Sequence, residues 1–131
     1  MALAKAALRT TNSKPGKKAS SQAAPKATRG DYIYLVQLDI PKHLEDDFHR
    51  LYDTEHVPLI SKVPGVRHCA RYVLETSENE HMPRYAAIYE VDSPAVLTSQ
   101  AWKTASDTGD WKTVIRPFAL NRQRSVFRRI A

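Results

Sequence analysis

The stretch Asp31-Tyr32-Ile33-Tyr34-Leu35-Val36-Gln37-Leu38-Asp39-Ile40 decides the fold, because both of its alternating faces carry apolar side chains. It contains neither Gly nor Pro and is filled by β-branched residues, aromatics and Leu, so it reads as a strand. Tyr32, Tyr34, Val36, Leu38 and Ile40 form one unbroken apolar face. Ile33 and Leu35 make the first half of the other face apolar, and Gln37 and Asp39 end it as polar. Successive side chains of a strand point to opposite sides. Both sides of this strand therefore call for cover, by helices on one side and by something else on the other.

Working outward, Pro41 closes the strand and residues 43–56 read as a helix. Leu44, Phe48, Leu51 and Glu55 fall on one stripe at ~100° per residue, with Tyr52 at its edge. Glu45, Asp46 and Asp47 occupy the first turn, where the helix dipole favours acids. Pro58 removes an N–H and disfavours helical geometry at Val57, which predicts a kink followed by a short second helix up to Pro64-Gly65. Residues 66–76 alternate as a second strand, with Val66, His68, Ala70, Tyr72 and Leu74 on one side. After a polar loop, residues 84–91 make a third strand. Ser93 reads as an N-cap with Pro94 at the first helical position, opening a helix to about residue 106. Gly109 breaks it, Trp111 to Ile115 add one more turn before Pro117, and residues 121–130 form the last strand.

The resulting order, β-α-β-β-α-β, is the split βαβ or ferredoxin-like pattern: an α+β fold with a four-stranded antiparallel sheet and both helices on one face. That leaves one sheet face uncovered. Its apolar residues predict pairing with a second copy of the chain, sheet to sheet, as a homodimeric barrel.

Charge separates the chain into two parts. Residues 1–30 hold Lys5, Arg9, Lys14, Lys17, Lys18, Lys26 and Arg29 with no acid, more than the whole formal charge of +6. The remaining 13 of 20 basic residues face all 14 acidic ones across residues 31–131. A nearly neutral domain offers no electrostatic reason for a nucleic-acid backbone as its ligand. The segment 1–30 has no aromatic residue and too little apolar surface to offset its ordering entropy, so it is expected to be a disordered basic extension. Three readings stand for it: a solvated extension, a mitochondrial transit peptide, or a segment attracted to anionic surfaces. No apolar run approaches a membrane span. The expected compartment is the cytoplasm, or the mitochondrion if the extension is a transit peptide. Cys69 is the single cysteine, which excludes an internal disulfide.

The run Tyr52-Asp53-Thr54-Glu55-His56-Val57-Pro58-Leu59, followed by Val63-Pro64-Gly65-Val66, gives the domain a further character. With Arg71-Tyr72, Pro83-Arg84-Tyr85, Tyr89-Glu90-Val91, Ser93-Pro94 and Ala101-Trp102, it resembles the EthD-like branch of the dimeric α/β-barrel superfamily. The resemblance covers nearly all of residues 31–131 and none of the extension. It implies a ferredoxin-like fold, a homodimeric barrel, and a pocket between sheet and helices for hydrophobic or aromatic compounds. Relatives of this superfamily include cofactor-free monooxygenases, cyclases and lactone isomerases, and proteins with no assigned activity.

Within that frame His56 is the first candidate for chemistry. It sits at the end of a helix before a proline, where it can serve as general acid or base. The structural alternative is a cap that bonds a carbonyl freed at the kink. In the catalytic reading Tyr52 or a strand tyrosine orients the ligand and Asp53 fixes the imidazole tautomer. Tyr34, Tyr72, Tyr85 and Trp102 are the candidate aromatic lining, with His49 beside them. His49, Tyr52, Asp53 and His56 share one side of the helix. A metal site is not expected there, since residues seven apart on a straight helix stand about 10 Å from each other. Glu55, on the apolar stripe, either reaches out to solvent at the helix end or is buried, and if buried it is expected to pair with Arg67, Arg71 or Arg84 rather than to serve in catalysis. The arginines Arg116, Arg122, Arg124, Arg128 and Arg129 form either an anion site or a solvated edge. The leading expectation is binding or conversion of a small hydrophobic or aromatic metabolite with no cofactor. The rival is a non-catalytic binding or interaction protein on the same fold.

Overall fold

The computed structural model describes residues 29–131. The expectations placed on the basic extension fall almost entirely outside these residues. Strand β1 (Tyr32–Asp39) leads through a 3-10 turn (Lys42–Leu44) into α1 (Glu45–Leu51), a π-helical turn (Tyr52–His56) and α2 (Val57–Ser61). Strands β2 (Val66–Val73) and β3 (Tyr85–Val91) follow, then a 3-10 turn (Pro94–Thr98) and α3 (Gln100–Asp107). A second π-helical turn (Trp111–Ile115), a 3-10 turn (Arg116–Phe118) and β4 (Leu120–Arg128) complete the chain. The strands are ordered β2-β3-β1-β4, and every neighbouring pair is antiparallel. This is the ferredoxin-like arrangement, with β1 central as its two apolar faces require.

The core forms where the helices cover one sheet face. Tyr85, Ala87, Tyr89 and Val91 alternate inward along β3 and meet Phe48, Leu51 and Ile60 from the helical layer. Ile115 and Trp111 seal the layer from the second π turn. Among the described residues no helix is long and apolar enough to cross a membrane.

Three local features depart from the sequence pattern, each for a physical reason. First, the helical run does not stop at Pro58. Val57 keeps helical geometry and donates its N–H to Tyr52 O, five residues back. The π turn absorbs the missing proline donor by widening the turn ahead of it. Each residue of a π turn advances by less than the ~100° of an α-helix, so His56 rotates inward and Glu55 moves to the edge. Second, β2 is bulged between Val66 and His68. Val66 is buried, but beyond the bulge Cys69 pairs with Tyr89 and Arg71 with Ala87, which puts Cys69 and Arg71 on the helix side. His68, Ala70 and Tyr72 turn to the open side, since one extra residue flips every later side chain. Third, Ser93 makes no side-chain cap. The chain is extended at Ser99, whose hydroxyl accepts the Trp102 N–H and starts α3.

Candidate functional site

The inward rotation of His56 builds one wall of a cleft of about 230 Å³ between the helical layer and the β1–β4 half of the sheet. Its aromatic lining is Tyr34 from β1, Tyr89 from β3, Tyr52 and His56 from the first π turn, Trp102 from α3 and Trp111 from the second π turn. The rings hold one another. His56 stacks on Trp111 with centroids 4.5 Å apart, and Trp111 is 4.5 Å from Tyr52. Trp102 meets Tyr34 and Tyr89 edge-on at 5.7 and 5.5 Å. Such edge and stacked contacts fix ring orientation as well as burying area.

His56 is only 7% exposed, and its Nδ1 has no hydrogen-bond partner. It therefore does not cap a carbonyl freed at Pro58. Burial pushes its pKa down to about 4, helped by the Arg116 charge and opposed by Glu55. The imidazole is neutral near pH 7 and carries a ring nitrogen with no partner. Beside it the Tyr52 and Tyr89 hydroxyls bond each other at 3.1 Å. Burial raises both phenols above their ordinary pKa, so they stay protonated.

The second π turn is held by an unexpected partner. Glu55 Oε1 accepts the Trp111 N–H at 2.7 Å, so its carboxylate secures the turn that carries the stacking indole rather than pairing with Arg67, Arg71 or Arg84. Gly109, at φ +85°, lies against the same carboxylate, and a Cβ there would collide with it. Arg67 pairs instead with Asp92, and Arg84 with Glu45 at 3.8 Å.

At the mouth stand Arg116, Arg122 and Arg124. Arg116 is fixed by Asp107 at 2.8 Å and by the Ser106 hydroxyl and carbonyl. That pairing, first with Arg116 and then with Lys103, holds Asp107 down to about 2. Arg122 and Arg124 are two residues apart on β4 and both line the cleft.

Of the eight residues singled out from sequence, Tyr34, Tyr52, His56 and Trp102 come together in this cleft. Asp53 lies away from His56: its carboxylate accepts Arg71 Nη1 at 2.6 Å. Arg71 Nη2 reaches His49 Nδ1 at 2.9 Å, and since a guanidinium only donates, that nitrogen is the acceptor. A guanidinium thus sits between His49 and Asp53, and no group of three or more metal-type side chains gathers among the described residues. Tyr85 is buried beside Phe48 and donates to Glu45. Tyr72, 54% exposed, lies on the open sheet face, away from the cleft. Trp111 joins Tyr34, Tyr52, His56 and Trp102 on the wall, and the five arginines divide: Arg116, Arg122 and Arg124 line the cleft, whereas Arg129 is tied to Gly30 O.

No protein-family model and no curated protein matches the chain. Similarity appears in solved structures, all at low identity. An EthD family protein from Bacillus halodurans superposes with a TM-score of 0.55 at 16% identity, covering 76% of this chain and 99% of its own. The heme degrader MhuD of Mycobacterium tuberculosis, with two hemes in its active site, gives 0.53 at 14% identity, covering 76% of this chain and 96% of its own. A DABB family protein with a ferredoxin-like fold from Mesorhizobium loti gives 0.52 at 13%, covering 76% and 97%. These likenesses define the class of fold: a ferredoxin-like α+β domain shared with EthD-type and DABB-type proteins.

Proposed function

We propose that the cleft binds a small aromatic molecule and that His56 accepts a hydrogen bond from it, within a homodimeric barrel. The observation that carries this reading is the buried, neutral imidazole whose Nδ1 has no partner on the wall of an aromatic cleft. A buried ring nitrogen left without a partner costs free energy that a purely structural histidine would avoid by bonding the backbone. The volume suits one or two rings, below the ~300–1,000 Å³ of pockets for drug-sized ligands. If the bound molecule has an O–H, it donates a hydrogen bond to the neutral imidazole, whose pKa, held down to about 4 by burial, keeps the proton on the ligand oxygen. In this reading the Tyr52–Tyr89 hydroxyl pair, which lines the cleft, orients the ligand as a donor. No bound cofactor enters this reading.

Both tryptophans of the chain line the cleft, so intrinsic fluorescence reports on it. Titration with 2-naphthol should perturb that emission and release heat. His56→Phe, which keeps a ring over Trp111 and removes the acceptor, should weaken binding about tenfold. Binding should also fall as pH is lowered toward about 4, where His56 takes up a proton. Equal affinity in the two proteins would refute the role of His56.

Support for the homodimer comes from the opposite sheet face. Ile33, Leu35, Ile88, Tyr72 and Phe127 form an apolar surface with no helix over it, and Tyr72 and Phe127 are 54% and 51% exposed. A patch of this kind marks an interface. Sedimentation should give twice the 14.8 kDa chain mass; a monomer at all concentrations would remove the barrel from the reading.

A further inference from the structure

Resting on the aromatic-cleft reading, we infer that the molecule taken there carries an anionic group, a carboxylate being the simplest, which Arg122 and Arg124 bind at the mouth while its ring enters between Trp102 and Trp111.

Three guanidiniums line the cleft and no Asp or Glu does. The three differ in what holds them. Arg116 is committed to Asp107 and Ser106, and its charge is largely answered within the fold. Arg122 and Arg124 form no ion pair with any acid among the described residues. Moreover they repel each other: Arg122 has its pKa lowered by burial first and by Arg124 next. Two like charges at one partly dry opening are an arrangement the fold does not use for its own stability. An anion placed between them relieves the repulsion and accepts charge-assisted bonds from planar donors whose fork matches a carboxylate.

Strand geometry makes the pair a unit. Arg124 is in register with Val36 of β1, a cleft-lining residue; the register shifts just beyond, between the Gln37–Gln123 and Asp39–Leu120 pairs, and Arg122, at that shift, lines the cleft beside Arg124. Neither lies on the open face proposed for dimerisation. Behind them the walls are aromatic, and the imidazole is neutral. The polarity of the site therefore runs from cationic at the mouth to apolar at the back, the complement of an aromatic acid.

The test compares two ligands of the same shape, 2-naphthoate and 2-naphthamide, by calorimetric titration of the full chain at low salt near neutral pH. Wild-type protein should bind 2-naphthoate about tenfold more tightly than the amide, with the preference shrinking as salt is added. The Arg122→Gln/Arg124→Gln variant should lose that preference and keep its affinity for the amide. The Arg122→Lys/Arg124→Lys variant should retain part of it. Circular dichroism should show both variants folded, as expected for side chains on an exposed strand. Equal binding of acid and amide by the wild type would overturn the anionic class and leave the aromatic cleft standing. A preference that survives in the Gln variant would overturn the assignment to these two arginines. Failure of the wild type to bind either compound would overturn both readings together.

Discussion

His49 and His56 lie seven residues apart on one helical run, in opposite surroundings. His49 belongs to a polar set in which every member is answered: Arg71 donates to His49 Nδ1 and to Asp53, and its guanidinium rests 4.4 Å above the Tyr52 ring. Asp53 keeps 62% of its side chain in solvent. His56 is packed among aromatic rings with one nitrogen unanswered and its charged form suppressed. Charged neighbours that satisfy each other at the surface are what a stable fold produces on its own. A buried ring nitrogen without a partner is a cost the fold carries, and that cost is what the proposed ligand would relieve.

Trp111 supports only one of the two histidines, His56. Its ring is 6% exposed and contacts Phe48, Tyr52 and His56. Trp111→Ala should cost about 3–5 kcal/mol in denaturant unfolding. A loss below about 1 kcal/mol would mean that the wall collapses to refill the space, and that His56 is not rigidly held.

Acid should separate the two regions next. The folded pKa of His56 is about 4 against an ordinary 6.5, so between these values the unfolded chain binds the extra proton. Stability should therefore be untouched above about pH 6.5 and fall as pH drops toward 4. The loss is of the order of 3 kcal/mol at ~1.36 kcal/mol per unit. Asp107 acts in a lower window. Its pKa is depressed from 3.8 to about 2, so its contribution is present above 3.8 and disappears only below it. His56→Phe should flatten the upper window and leave the lower one. The same variant removes a buried unsatisfied nitrogen while keeping the stack on Trp111, so near neutral pH it should be as stable as wild type or more stable by about 1 kcal/mol. A clear destabilisation at neutral pH would show that the imidazole is satisfied after all.

Much of this architecture was legible in the residues. The two apolar faces of β1 and the strict inward alternation of β3 follow from period-two patterning, and the β-α-β-β-α-β order from turn residues between such runs. The site was less legible because its geometry depends on two one-residue phase shifts. The bulge between Val66 and His68 sends Tyr72 to the open face and brings Cys69 and Arg71 inward, although the alternation around it reads as regular. The π turn at Tyr52–His56 exchanges the roles of Glu55 and His56. A proline six residues after Tyr52 signals a disturbed helix but not its phase. Glu55 bonding the Trp111 N–H joins residues 56 positions apart, and no local pattern encodes that. The arginine pair was visible as a two-residue spacing on a strand, but only the placement of β4 beside β1 turns it toward the cleft.

The smallest effect falls at the surface member of the comparison. Asp53→Ala removes the Arg71 partner but leaves Arg71 over Tyr52 and Phe48 at 4.4 and 5.1 Å, where its stacking does not need the carboxylate. Exposed ion pairs contribute about 0–1 kcal/mol and weaken with salt. Asp53→Ala should therefore lower stability by less than about 1 kcal/mol, with the difference fading at high salt, and leave the affinity for 2-naphthol unchanged. An effect on ligand affinity as large as that of His56→Phe would place Asp53 in the binding machinery after all. It would mean that Arg71, behind Tyr52, relays the state of the polar set into the cleft, and that the two regions act as one site.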